Sequence, residues 1–151
     1  MSHDAITTLG LTATTVLRDA AFLFCTTVSA PPAWKDKKAP ILLTELSLHH
    51  ASINHLFLAT TTSSAGEIAE ALIGHAPTQP HHATLPAAAL EELLRMIAGT
   101  WTASQPADVT ITLDHVVTHT LSADDFQKWR ATHPDTISLH TEEGHRIDLG
   151  C

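Results

Sequence analysis

Glu92 and Arg95 are the two residues whose types and spacing best suit chemistry. They stand in Glu91-Glu92-Leu93-Leu94-Arg95-Met96-Ile97-Ala98-Gly99, a stretch whose apolar residues recur at helical spacing. A helix there turns a carboxylate and a guanidinium to the side away from its apolar stripe. The guanidinium can bind a phosphoryl group, but it carries only donors and cannot accept a proton from a water. The plainest use of the pair is solvation. Glu91–Arg95 at i,i+4 and Glu92–Arg95 at i,i+3 are ordinary surface contacts, each worth about 0.2–0.5 kcal/mol to a helix.

The histidines are the second candidates. There are 12, among them His49-His50, His55, His75, His81-His82, His115, His119, His140 and His145. No Cys/His pair has zinc-finger spacing. His115 and His119 share one side of a predicted strand, but at about 3.3 Å per residue they lie roughly 13 Å apart, too far to share a metal. His140 and His145 flank a turn and could face one another, yet two ligands make a weak site. No metal is expected. Serine hydrolysis lacks a Gly-x-Ser-x-Gly elbow. A phosphate loop is missing too, since neither Gly-x-Gly nor Gly-Lys-Ser occurs.

Several elements must position these residues. Ile6, Leu9, Ala13, Val16, Leu17, Ala20 and Phe24 predict a helix from about Asp4 to Phe24. Its many threonines and Gly10 give it poor intrinsic propensity, so it needs packing to form. Pro31-Pro32 through Pro40 reads as a loop. Ile41–His50 and Ile53–Thr60 read as a hairpin turning near Ala51-Ser52. Ser64-Ala65-Gly66-Glu67 fits a capping box for a second helix running to Ile73, with Gly74 after its end. Ala76–Thr84 is a loop containing Pro77, Pro80 and His81-His82. A third helix begins near Pro86, with Leu90, Leu93, Leu94, Ile97 and Trp101 as its core stripe and Glu92, Arg95 and Gly99 opposite. Asp108–Thr120 reads as a strand, and Ser122–Ala131 as a short helix capped by Ser122. Ile137–Thr141 and His145–Leu149 close as a hairpin around Gly144. The order α-β-β-α-α-β-α-β-β favours an α+β fold with an antiparallel sheet. No sequence repeat is obvious. Trp34, Trp101 and Trp129 read as packing residues.

Composition narrows the function classes. A chain of 151 residues suffices for one domain with a real core. Sixteen acidic against eight basic side chains, a net charge of −8, argue against nucleic acid as a partner. No apolar run approaches the roughly 18 residues of a membrane span. Ala20–Ala30 lacks the basic lead of a signal peptide, so a cytoplasmic location is expected. Cys25, at the apolar end of the first predicted helix, reads as a small core residue and Cys151 as a dispensable thiol. Both are expected to be reduced.

The stretch Glu92-Leu93-Leu94-Arg95-Met96-Ile97-Ala98-Gly99 also resembles the signature helix of the CheC/CheX family of chemotaxis phosphatases, whose usual form is Glu-x-x-Asn, an apolar run and Gly. Ala65–Gly74 resembles the family helix that ends in a Met/Leu-Leu/Ile-Gly motif, and Ile137–Leu149 resembles the family's closing hairpin. The resemblance follows the order of elements over residues 5–100 and the last hairpin, and is weak between Ser104 and Pro134. It implies a single CheX-like domain over residues 1–151, with two long helices packed on an antiparallel sheet. It also implies a phosphorylated CheY-like receiver as partner, and a homodimer joined through sheet edges.

In that family the Asn amide orients a water for in-line attack on the receiver's aspartyl phosphate, and the Glu contacts a lysine of the receiver. The receiver supplies Mg²⁺, so no cofactor is expected on this chain. Carried over by position, Glu92 matches the Glu and Arg95 replaces the Asn. These two are the candidate catalytic positions, and Glu91, Glu92, Arg95 and Gly99 the candidate partner contacts. Phosphoryl transfer rests on positioning and charge. An amide can both accept from and donate to a water, whereas a guanidinium only donates. The expectation is a domain that acts on or binds a phosphorylated receiver with impaired phosphatase activity. The alternative is a non-catalytic dimerisation or interaction module unrelated to receivers.

Overall fold

The computed structural model describes residues 3–29, 33–34, 36–49, 53–73, 85–106 and 112–151. Its elements are α1 (His3–Ala21), β1 (Cys25–Val28), β2 (Ile41–His49), β3 (His55–Thr61), α2 (Thr62–Ile73), α3 (Leu85–Ala103), β4 (Thr112–Leu121), α4 (Ala123–Ala131), β5 (Thr136–Thr141) and β6 (Arg146–Gly150). The strands form one antiparallel sheet in the order β1-β5-β6-β3-β2-β4. The expected α+β architecture is therefore present, with α1 and α3, 19 residues each, as its long helices.

Both faces of the sheet are covered, which explains why β2 and β3 read as nearly continuous apolar runs. Leu42, Leu46, Leu48, Leu56 and Leu58 point to a core shared with α1, α2 and α3. Their alternates Ile41, Leu43, Phe57 and Ala59 point the other way, to a smaller core closed by Ala123 and Phe126 of α4. The period-2 geometry of a strand sorts one run of residues into two cores.

The first helix ends earlier than its apolar periodicity predicts. It stops at Ala21, and Phe22 takes a left-handed φ of 55°. Cys25 is thus not helical. It opens β1, a strand missing from the expected order, where Thr26, Thr27 and Val28 supply the β-branched residues a strand favours. That strand is short and its last three residues are exposed, so it carries no alternation to read. The second helix also starts earlier, at Thr62, and its cap is Thr61, whose hydroxyl accepts from the Ser64 N–H at 3.1 Å. The Ser64–Glu67 capping box is not formed. Ser122 does cap α4, accepting from Asp125 N–H at 3.1 Å. The closing hairpin turns on Gly144, whose φ of 91° suits a residue without a Cβ. The predicted turn at Ala51-Ser52, the start of the Asp108 strand, Gly74, and the loop histidines His50, His75, His81 and His82 lie outside the described residues.

A repeat hidden in the sequence is visible in the topology. Each half supplies a long helix, an edge strand and a hairpin: α1, β1 and β2–β3, then α3, β4 and β5–β6. Each edge strand pairs with the first hairpin strand of the other half, β1 with β5 and β4 with β2. Two buried residues followed by an exposed arginine occur on each long helix, Val16-Leu17-Arg18 near the end of α1 and Leu93-Leu94-Arg95 in the middle of α3.

Candidate functional site

The site is built on α3. Leu90, Leu93, Leu94, Ile97 and Trp101 are buried in the larger core, as their spacing requires. At about 100° per residue that anchoring leaves Ala88, Glu92, Arg95, Met96 and Gly99 on the outward side. Glu92 and Arg95 are mostly exposed, and Arg95 Nη1 stands 4.0 Å from Glu92 Oε2, the outer limit of an ion pair. Glu91 is turned elsewhere. Its Oε1 accepts from Thr118 Oγ1 at 2.9 Å, and Thr118 in turn meets Thr44 at 3.0 Å. This relay fixes α3 over β2 and β4, and it brings Glu92, Arg95 and Gly99 together without Glu91.

The exposed side of α3 is the wall of a shallow apolar groove. Beside Glu92 it is lined by Ala69 and Leu72 of α2, Ala20 of α1, and Ala88, Ala89 and Met96. It continues past Met96 to Gly99 and Thr100, with Thr15 and Asp19 of α1 opposite. Asp19 accepts from Arg18 Nε at 2.9 Å, and that bond and its charge hold the guanidinium above its ordinary range. On this surface Glu92 can meet a cation and Arg95 an anion. The residue three positions after Glu92 is donor-only, so it cannot orient a nucleophilic water as an amide does.

Other polar clusters escaped the sequence reading because their members are far apart in the chain. Glu45 accepts from His55 Nε2 at 2.9 Å and stands 3.2 Å from His119 Nε2, across three strands. Ser64 Oγ lies 3.0 Å from His145 Nδ1, and His145 Nε2 lies 2.7 Å from Glu67 Oε2, tying the first two turns of α2 to the closing hairpin. His145 thus engages α2 rather than His140. Asp148 is fully buried, accepts from Ser138 and holds Arg146 through both oxygens at 2.9 and 3.1 Å. Only the i,i+2 spacing of Arg146 and Asp148 on one strand could have hinted at it. Among the described residues no three His, Cys, Asp or Glu side chains converge as a metal site. Burial, then the charge of Glu143, pushes the Cys25 thiol up to about 11, and burial also raises Cys151. Neither sulfur is a thiolate nucleophile at neutral pH.

Comparison with solved structures identifies the architecture. A chain of the CheX–CheY–BeF3–Mg²⁺ complex from Borrelia burgdorferi superposes with a TM-score of 0.66 at 15% identity, covering 98% of this chain and 96% of that one. The chain has the CheX/CheC fold. CheX from Desulfovibrio desulfuricans matches with a TM-score of 0.60 at 16% identity over 98% of both chains. A CheC-like protein from a Shewanella species matches with a TM-score of 0.56 at 15% identity, covering 99% of this chain and 98% of that one. No family model and no curated protein matches the sequence. The CheX/CheC fold is shared at identities where sequence comparison is silent, because the alternating burial that specifies the sheet tolerates most exchanges of apolar residues. No described helix is long and apolar enough to cross a membrane.

Proposed function

We propose that this chain is a CheX-like chemotaxis domain that binds a phosphorylated CheY-like receiver through the exposed side of α3 and does not dephosphorylate it. The observation that carries this reading is the placement of Glu92 and Arg95. They project outward from a helix whose other side is core, and the sequence resemblance aligns them with the family's Glu and Asn. One neighbour of the same fold was solved with CheY, BeF3 and Mg²⁺. Glu92 docks the receiver through a cationic side chain. Arg95 sits where an amide would hold the attacking water, and a guanidinium there donates to the phosphoryl oxygens instead. The phosphoaspartate is clamped, and water is kept from in-line attack.

The test is calorimetric titration of this chain with receiver domains of its source organism, each loaded with BeF3⁻ and Mg²⁺. Binding to at least one loaded receiver, lost in Glu92→Lys, is expected. No binding to any of them would sink the reading.

A dimerisation module is the second reading, and β4 favours it. This is a ten-residue edge strand, Thr-Leu-Asp-His-Val-Val-Thr-His-Thr-Leu, without the Lys or Pro that commonly blunts an edge, and Val117 on it is exposed. Two copies pairing antiparallel through β4 would extend the sheet. Sedimentation of the wild type as a dimer and of Val117→Pro as a monomer is the expected outcome, and a monomeric wild type would exclude the pairing.

A further inference from the structure

We infer that two copies paired through β4 build Zn²⁺ sites across their interface, each made by His115 of one copy with the partner's His119 and the partner's Glu45. This rests on the dimerisation reading above and names what the paired edge would hold. Within one chain the ligands do not meet. His115 and His119 stand four residues apart on one strand, roughly 13 Å at about 3.3 Å per residue. A second copy of the strand closes that gap.

Symmetry and burial choose the register. In an antiparallel pair, opposite residues point to the same side of the sheet, so a two-fold axis between identical strands passes through a residue and not between two. Axes at Val116 and at Val117 both overlap nearly all of Thr112–Leu121. Val116 already packs against the larger core. Val117 is an exposed large apolar residue. An axis at Val117 covers it with its like, whereas an axis at Val116 sets it against the partner's His115. The Val117 register places His115 directly opposite the partner's His119, with Cβ atoms about 4.5–5.5 Å apart on one face.

The side chains on that face suit a metal ion. Glu45, Ser47, His55, His115, Val117 and His119 line one depression. His119 Nε2 stands 3.2 Å from Glu45 Oε2, which fits two neighbouring ligands on one ion at about 2.0–2.2 Å from each. The other carboxylate oxygen accepts from His55 Nε2 at 2.9 Å. His115 Nδ1 lies 3.4 Å from Asp114 Oδ1, which leaves Nε2 as the ligating atom. Groups standing behind the ligands in this way orient them. The His115 and His119 side chains are 71% and 50% exposed, so their rings are able to turn toward the interface. Two imidazoles and a carboxylate are a Zn²⁺ ligand set, with water in the fourth position.

The test uses the full chain treated with EDTA and then titrated with Zn²⁺ or, for a visible signal, Co²⁺. The wild type should dimerise about tenfold more tightly with Zn²⁺, because an ion bound only by the dimer favours the dimer. It should also give the d–d absorption of four-coordinate Co²⁺. His115→Ala and His119→Ala should each give none. Their equimolar mixture should regain part of the Co²⁺ signal, because one site of the mixed dimer keeps all its ligands. A site within one chain is not restored by mixing. Failure of the mixture to regain signal, or a dimer in EDTA that neither ion alters, would overturn the metal site and leave the dimerisation reading intact. A wild type that is monomeric with and without Zn²⁺ would overturn both.

Discussion

Asp148 shows how much of this molecule depends on single residues. It is a carboxylate with no solvent exposure, held by Ser138 and by both ends of the Arg146 fork, with Arg130 Nη1 at 3.8 Å. Arg146 also lies 4.3 Å above the Trp34 ring, so this one ion pair connects β6 with α4 and the loop before β2. Removing one partner leaves the other charge buried and uncompensated. Asp148→Ala should lose about 3–5 kcal/mol of unfolding free energy in urea. A loss under 1 kcal/mol would mean that water reaches the arginines.

Cys25 makes a second prediction at this scale. Its folded pKa, about 11, stands above the unfolded value of 9.0, so the thiol form is favoured by folding. The stability it contributes is present below pH 9 and is lost as pH rises from about 9 through about 11. Alkylation of Cys25 by iodoacetamide should stay slow at pH 8 and accelerate only above pH 10. Rapid labelling at pH 8 would contradict the buried setting.

At the scale of elements, how legible each one was depended on how much of its surface is buried on a regular period. The α3 stripe was readable because five large residues at helical spacing all enter one core. β1 was not, because an exposed edge strand of four residues has no period. The start of α2 was misread for a chemical reason. Ser64 and Glu67 have capping-box spacing, but His145 takes both side chains and Thr61 caps the helix. Thr61→Ala should therefore cost about 1 kcal/mol by loss of the cap, and Ser64→Ala should leave helix capping intact. Equal losses from the two would place the cap wrongly.

Gly150 is another element-scale feature that spacing could not reveal. A Cβ there would collide with the Asp135 carbonyl and lie 2.7 Å from Phe57 Cε1. Gly150→Ala should destabilise by about 1–3 kcal/mol, because the obstruction is partly backbone and cannot swing aside. A neutral effect in thermal denaturation would mean that the β6 end is looser than its packing indicates.

At the scale of the whole molecule, the outward side of α3 was predictable and the groove beside it was not. Glu92, Arg95 and Gly99 share a helix, so one period of the sequence places them together. Ala20 and Asp19 come from α1, and only the packing of the two halves brings them opposite Met96. The same holds for the internal repeat, which resides in strand pairing rather than in residue identity. The proposal that this chain binds a receiver without dephosphorylating it turns on one position. Arg95 offers donors where catalysis by an amide needs an acceptor as well.

The most direct measurement is the decay of phosphoaspartate on a receiver that binds this chain, followed with and without a stoichiometric amount of the wild type and of Arg95→Asn. The wild type should slow the decay, and Arg95→Asn should accelerate it beyond the receiver's own rate. Acceleration by the wild type would contradict the assignment of Arg95 as a clamp and would make this chain a phosphatase.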